Sequence, residues 1–347
     1  MNLHHVLLCP GVVTKKDRIS AHRDPVRVAI WVAALVLVAA AGLFRGHLLI
    51  RAVGITGAPF LTLAAVIAAG LALDRAGVFR VLARLIVPAS APDWLATAGA
   101  LGLTALLSGL VNLDVAVVVA LPVALSVARH RGLHPGRLAV AAALTANATS
   151  FLFPTSNLTT LLVLDRAPVA AWTFVAQSWV AWLLVTVVTV GALSLMVKRP
   201  GSGMPPAGRV TARTVTLGVA AMALIDLVPM FFGASAINAL LDGGMALHGG
   251  LLGDLAMTSV LAAGANNLPA AAALVVGAGI SRWAAVLGLA IGPNLLLTGS
   301  VATLISRRIA RDHGAEFSAL TFSVVGAALL PLQLLLALAG LHLTGAI

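Results

Sequence analysis

Asn147-Ala-Thr-Ser-Phe-Leu-Phe-Pro-Thr-Ser-Asn-Leu-Thr-Thr160 and Ala290-Ile-Gly-Pro-Asn-Leu-Leu-Leu-Thr-Gly-Ser-Val-Ala-Thr303 decide how this chain folds. Both stretches are polar and broken by proline or glycine, yet both are embedded in long apolar runs. Aligned without a gap, Thr155, Asn157 and Thr160 fall opposite Thr298, Ser300 and Thr303. Each copy also follows an apolar segment interrupted by asparagine, at Asn112 in the first and at Asn266-Asn267 in the second. Interruptions at corresponding places in two halves of a membrane chain point to the binding site of a transporter.

The composition places the chain in lipid. Of its 347 residues, 60% are hydrophobic and 10% charged, and the mean hydropathy is +1.05, against roughly 25% charged residues in ordinary soluble domains. An all-α integral membrane protein follows, with room for about ten crossing or re-entrant segments of roughly 20 residues each. The single Cys9 lies in the N-terminal tail, which excludes an internal disulfide framework and a cysteine-based metal site. His130, His134 and His313 fall in basic loops without the i,i+4 spacing of a helical metal site, so neither metal nor cofactor is expected. No GxxxxGK[ST] loop occurs, so the energy source is an ion gradient, proton first and sodium second, or a partner. An associated ATPase subunit and a homodimer both stay open.

The net charge of +11 sits in short basic clusters between apolar runs, a pattern of membrane topology and not of nucleic-acid binding. The chain divides accordingly. Residues 1–25 form a flexible cytoplasmic tail, and 26–56 an extra N-terminal span with its loop. Residues 57–197 form a first repeat with a hairpin at 94–128 and a broken helix at 137–163. A cytoplasmic linker at 198–213 leads to a second repeat at 214–341, with a hairpin at 251–280 and a broken helix at 283–305. If both hairpins re-enter the face they came from, only Arg45, Arg51, Arg166 and Arg282 of the 22 Lys and Arg residues lie outside. Turning either hairpin into a single crossing inverts every later segment and destroys that bias. Three crossings per repeat then make the second insert upside down relative to the first, an inverted-topology architecture. The chain is thus read as a multi-pass protein of the cytoplasmic membrane, with the N-terminus inside and the C-terminus outside. Trp94, Trp172, Trp179, Trp182 and Trp283 lie near segment starts, where an indole suits the headgroup level.

A hairpin tip or broken helix at membrane depth exposes amides and carbonyls, with partial positive charge at helix N-termini and negative charge at C-termini. Such breaks are tolerated only when buried in protein or lining a wet cavity. The candidate lining for a small inorganic solute or ion is Asn112, Asp114, Asn266 and Asn267 at the tips, with Asn147, Thr149, Ser150, Thr155, Ser156 and Asn157 in one break and Asn294, Thr298, Gly299 and Ser300 in the other. Pro154 and Pro293 remove backbone donors there. The same Ser, Thr and Asn residues also suit a plainer role, capping the broken ends or bridging packed helices. Asp114 and Asp226 are the carboxylates read as deepest in the membrane and the candidates for proton coupling. N-capping of the returning hairpin arm is the alternative for Asp114, and structural pairing the alternative for Asp226.

Four stretches in order carry a resemblance: Ser108-Gly-Leu-Val-Asn-Leu-Asp114, Asn147 to Asn157, Asn266-Asn-Leu-Pro269, and Gly292-Pro-Asn with Gly299-Ser-Val-Ala-Thr303. Across about 57–341 the chain resembles the bacterial arsenite-efflux permeases of the ion-transporter superfamily, relatives of sodium/proton antiporters and sodium-coupled dicarboxylate symporters. It departs from their pattern where Leu113 replaces an asparagine and Ser156 a glycine. The resemblance implies a fixed scaffold, a moving unit that carries the hairpins and broken helices, and proton-driven export of arsenite or antimonite, with a sodium/proton antiporter or another ion-coupled anion transporter of the same superfamily as the alternative.

The charge pattern makes a prediction of its own. Alkaline phosphatase fused after Ile347 is expected to be active and a green fluorescent protein fused there dark, because the C-terminus lies outside; the reverse outcome removes one re-entrant hairpin.

Overall fold

The computed structural model describes residues 31–50, 91–197, 249–274 and 279–347, with a few isolated positions between them. The tail 1–25, the linker 198–213, Asp226 and nearly all of the first span expected in each repeat lie outside the described residues. Among the described residues the chain is all-α, and five helices are long and apolar enough to cross a membrane. These are α1 (Trp31–Ile50), α2 (Asp93–Leu110), α3 (Leu113–Arg131), α6 (Ala171–Met196) and α11 (Ala319–Leu343). Shorter helices lie between them: α4 (Pro135–Ala148), α5 (Leu158–Arg166), α7 (Gly250–Ala265), α8 (Asn267–Ala273), α9 (Arg282–Ile291) and α10 (Val301–Asp312).

The local sequence explains where the helices start and stop. The Asn112 side chain caps α3 by accepting from the Asp114 amide, and Gly132, at φ 64°, ends it in the left-handed conformation. His134 then accepts from the Arg137 amide and Pro135 occupies the first turn of α4, so the next helix begins three residues on. The α2–α3 hairpin therefore turns on Val111-Asn112, within three residues at each end of the expected 94–128. In the second half α7 and α8 turn at Asn266, and the return arm is short, since α8 ends at Ala273.

Both broken helices are present. The first runs α4, then a non-helical stretch with a 3-10 turn at Pro154–Ser156, then α5. The second runs α9, two 3-10 turns at Gly292–Leu295 and Leu297–Gly299, then α10. Its last arm reaches Asp312, beyond the expected end at 305, so Arg307, Arg308 and Arg311 are helical, with Arg308 and Asp312 paired at 2.8 Å.

The halves exchange pieces. One buried cluster joins α2, α3 and α4 with α10, the last arm of the second broken helix. The other joins α7, α8 and α9 with Val163 of α5, the last arm of the first. Helices α6 and α11 lie across both clusters and against each other. Gln333 Nε2 donates to Thr189 Oγ1 at 2.9 Å, Thr344 Oγ1 donates to the Gln177 carbonyl at 2.7 Å, and Gly340 packs on the Ala181 backbone. Residue number rises along one helix as its partner's falls, so the final spans of the two halves run antiparallel. Without a hydrophobic drive between helices in lipid, such small-residue contacts and polar pairs hold them together, the pairs at about 0.6–2 kcal/mol each.

Two tryptophans correct the headgroup expectation. Trp94, Trp172 and Trp179 are exposed, but Trp283 is 3% exposed and stacks on Phe174 at 4.9 Å. Trp182 lies midway along α6 and points into the bundle, because its indole N–H has a carbonyl to satisfy there.

Gly340→Leu is expected to lower the thermal unfolding midpoint in detergent, the overpacking costing roughly 1–3 kcal/mol. Wild-type stability in that variant would contradict close α6–α11 packing.

Candidate functional site

At the first break, backbone carbonyls that lose helical partners are taken up by named side chains, as burial without water demands. In the first break the Ala146 carbonyl accepts from Ser108 Oγ at 2.6 Å, and the Asn147 carbonyl from Ser150 Oγ at 2.9 Å. The Thr149 carbonyl accepts from Trp182 Nε1 at 2.9 Å, and the Leu152 carbonyl from Ser178 Oγ at 3.0 Å. Asn157 caps α5 by accepting from the Thr159 amide at 3.1 Å, while its amino group donates to Ser150 Oγ at 3.1 Å. Ser156 Oγ donates to the Gly109 carbonyl at 2.6 Å, which joins the break to the first hairpin.

The hairpin tips repeat one arrangement. Asn112 Oδ1 accepts from the amide two residues on, and its Nδ2 donates to the Thr155 carbonyl at 2.9 Å. Asn266 Oδ1 likewise accepts from the Leu268 amide at 3.3 Å, and its Nδ2 donates to the Thr298 carbonyl at 2.9 Å. Thr155 and Thr298 are the residues that the gapless alignment of the two breaks sets opposite each other. Each tip is therefore capped by one asparagine bond and joined to the break of its own half by the other. Leu113 beside one tip and Leu268 beside the other both belong to the larger buried cluster.

Asn266 alone among described non-glycine residues has a positive φ, 75° with ψ 144°. A side chain there costs of order 1–3 kcal/mol unless its surroundings hold it. The two amide bonds are what hold it.

The two breaks meet at a third point. Asn147 Nδ2 donates to Asn294 Oδ1 at 3.0 Å and to Thr303 Oγ1 at 2.9 Å, and Asn294 Nδ2 donates to the Leu144 carbonyl at 3.1 Å. This polar clasp is wholly buried, and Asn147 Oδ1 has no protein partner among the described residues. The second break uses close packing where the first uses hydroxyls. A Cβ on Gly299, opposite Ser156, would meet the Pro293 Cα at 2.7 Å, and one on Gly292 would meet the Ser259 Cα at 2.5 Å.

Among the expected lining residues, then, Asn112, Thr155, Asn266 and Thr298 are joined at the tips, and Asn147 and Asn294 at the crossing. Thr149, Ser150, Ser156 and Asn157 hold the first break in shape. Ser300 is buried at the start of α10 without capping it. Asn267, 4% exposed, has no side-chain hydrogen bond among the described residues. Asp114, 7% exposed, accepts no hydrogen bond and pairs with no cation among them, and Asn112 takes the capping role that was the alternative for Asp114.

Three side chains with structural hydrogen bonds in these segments lie outside the expected set. Thr303 was visible as the alignment partner of Thr160. Trp182 and Asp254 carried no such signal, because their partners are backbone atoms: Asp254, 1% exposed, accepts from the Gly249 and Ser281 amides, each at 3.2 Å.

The chemistry of the place is uncharged and dipolar. The N-termini of α3, α5, α8 and α10 and the C-termini of α2, α4, α7 and α9 all lie at the tips and breaks, presenting amides and carbonyls side by side. No Lys or Arg occurs within 108–114, 147–160, 264–270 or 290–303. Asp114 is the single acidic residue in those stretches.

Among known proteins, the family model described as Citrate transporter matches residues 12–292. No curated protein matches the chain.

Asn112→Ala and Asn266→Ala each remove a cap and a tie to the break. Each is expected to destabilise the protein by about 1–3 kcal/mol through the carbonyl and amide left unbonded and to lower transport. Calorimetry of the purified variants checks this, and two variants as stable as wild type would show the tip bonds to be unimportant.

Proposed function

The chain belongs to the citrate transporter family, and on that premise we propose that it exports neutral arsenite or antimonite, as As(OH)3 or Sb(OH)3, in exchange for protons. At the coarser level it is a multi-pass membrane protein and a secondary transporter of the ion-transporter type, not an enzyme. The observation that carries the finer reading is the uncharged lining of amides, hydroxyls and helix ends, without Lys or Arg. A trihydroxide is neutral at pH 7 and offers three hydroxyls that both donate and accept. It gains hydrogen bonds there without the desolvation cost of a buried ion.

The mechanism follows from what the side chains hold. Each hairpin is tied to its own break through Asn112 or Asn266, and the breaks to each other through Asn147, Asn294 and Thr303. In our reading this polar unit binds cargo between the tips and moves as one body, opening alternately to the two sides of the cytoplasmic membrane. The two-fold repetition of the tip bonds and the antiparallel α6 and α11 support inverted repeats. In our reading Asp114, buried beside the Asn112 tip and without a paired cation among the described residues, takes a proton on one side and releases it on the other. Asp226 remains the second candidate.

The family description favours a second reading, in which a carboxylate such as citrate is carried together with cations. Four helix N-termini suit an anion, and bound cations or protons would have to offset its charge where no Lys or Arg is present. Everted vesicles under an imposed pH gradient separate the two. The arsenite reading expects gradient-dependent accumulation of arsenite, no response to citrate, and loss of coupling in Asp114→Asn with insertion intact. Accumulation of citrate and not arsenite would overturn it. Normal proton-coupled flux in Asp114→Asn would remove that carboxylate from the mechanism.

A further inference from the structure

The second hairpin has an open end as well as a tip, and that end is held by charge. The chain enters the hairpin at Gly249 and leaves it at Ser281, and one buried carboxylate joins the two: Asp254 Oδ1 accepts from the Gly249 amide and Oδ2 from the Ser281 amide, both at 3.2 Å. No Lys, Arg or His pairs with it among the described residues. A carboxylate 1% exposed is expensive unless its bonds are worth keeping.

The next residue extends the tie. Arg282 Nε donates to the Ala167 carbonyl at 3.1 Å and its Nη2 to the Pro168 carbonyl at 3.4 Å. Arg166 Nη1, at the end of α5, donates to the Ala271 carbonyl of α8 at 3.0 Å and to that of Leu274 just after it. Both arms of the hairpin, the start of α9 and the end of α5 are thereby joined. The first hairpin is closed differently, at the opposite end of the bundle: Arg131 donates to the Ala91 carbonyl, and Arg129 to the His313 carbonyl. Two of the four basic residues that break the charge bias, Arg166 and Arg282, thus have backbone partners at this open end.

We propose that Asp254 is a latch that holds the α7–α8 hairpin shut at its open end, and so a positioning residue for transport. It touches neither tip nor break. Helix α7 spans about 24 Å at 1.5 Å per residue, so sliding of one arm against the other at the latch is carried along it to the Asn266 tip. The latch keeps the Asn266 to Thr298 bond in register while the hairpin moves.

The kinetic arm of the test rests on the transport reading above; the exchange arm does not. In full-length protein in lipid nanodiscs, hydrogen–deuterium exchange is followed in peptides spanning 249–256 and 279–285. Asp254→Ala is expected to speed exchange there about tenfold or more, and Asp254→Asn, which keeps one acceptor oxygen, by less, with the 105–115 peptides unchanged. In proteoliposomes, with arsenite and citrate as probes, the Vmax of the transported probe falls about tenfold while KM stays within twofold, a loss of roughly 1.4 kcal/mol in the turnover step. Unchanged exchange in the Ala variant, or a raised KM with unchanged Vmax, overturns the latch. If the Ala variant does not insert, Asp254→Asn carries both readouts. If wild type moves neither probe, the proposed cargo fails and the exchange arm alone decides the latch.

Discussion

A backbone break inside a membrane must find hydrogen bonds from the protein itself, and the rest of this structure is arranged around that demand. Asn112 and Asn266 answer it at the tips, each accepting from an amide of the returning arm and donating to a carbonyl of its break. An asparagine amide carries its acceptor and its donors on separate atoms, so one side chain serves an amide and a carbonyl at the same time. Every other feature near the breaks, from the Trp182 indole on the Thr149 carbonyl to the glycines pressed on Ser259 and Pro293, fills what the two asparagines leave open.

The same demand underlies the function proposed for the region. Groups that satisfy a broken backbone are by nature small, neutral and able to donate and accept, which is the lining our proposal assigns to a neutral hydroxylated solute. A carboxylate or ammonium in the lining would have to be paired before anything else could bind. Asp114 is the exception, a buried carboxylate beside the tip that is unpaired among the described residues, and our proposal gives it the coupling proton. Among the described residues the two buried clusters exchange half-helices, so each contains an arm from the other half of the chain.

Much of this was legible in the sequence, and the residues show why the rest was not. The tips and breaks stood out because asparagine, proline and glycine are conspicuous in apolar runs, and the pairing of Thr155 with Thr298 followed from alignment alone. Asn147 and Asn294 were recognised as lining but not as partners, since a contact between segments about 147 residues apart leaves no local trace. Trp182 looked like a headgroup anchor, and Asp254 did not stand out at all. Both bond backbone atoms, which every residue carries, so no complementary side chain in the sequence marks them. Spacing alone did not decide between Asn112 and Asp114 as the cap of α3; the extended backbone at Asn112 does.

The central claim is that the two breaks line one site that opens alternately to either side. Thr155 and Thr298, the two break residues whose carbonyls receive the tip asparagines, test it most directly as single cysteines in a Cys9→Ser background. Each is probed in proteoliposomes with a membrane-impermeant thiol reagent from either face. The account predicts that each cysteine is labelled from both faces, and that the transported solute slows labelling of both together. Labelling of each from one face only, unaffected by solute, would contradict it.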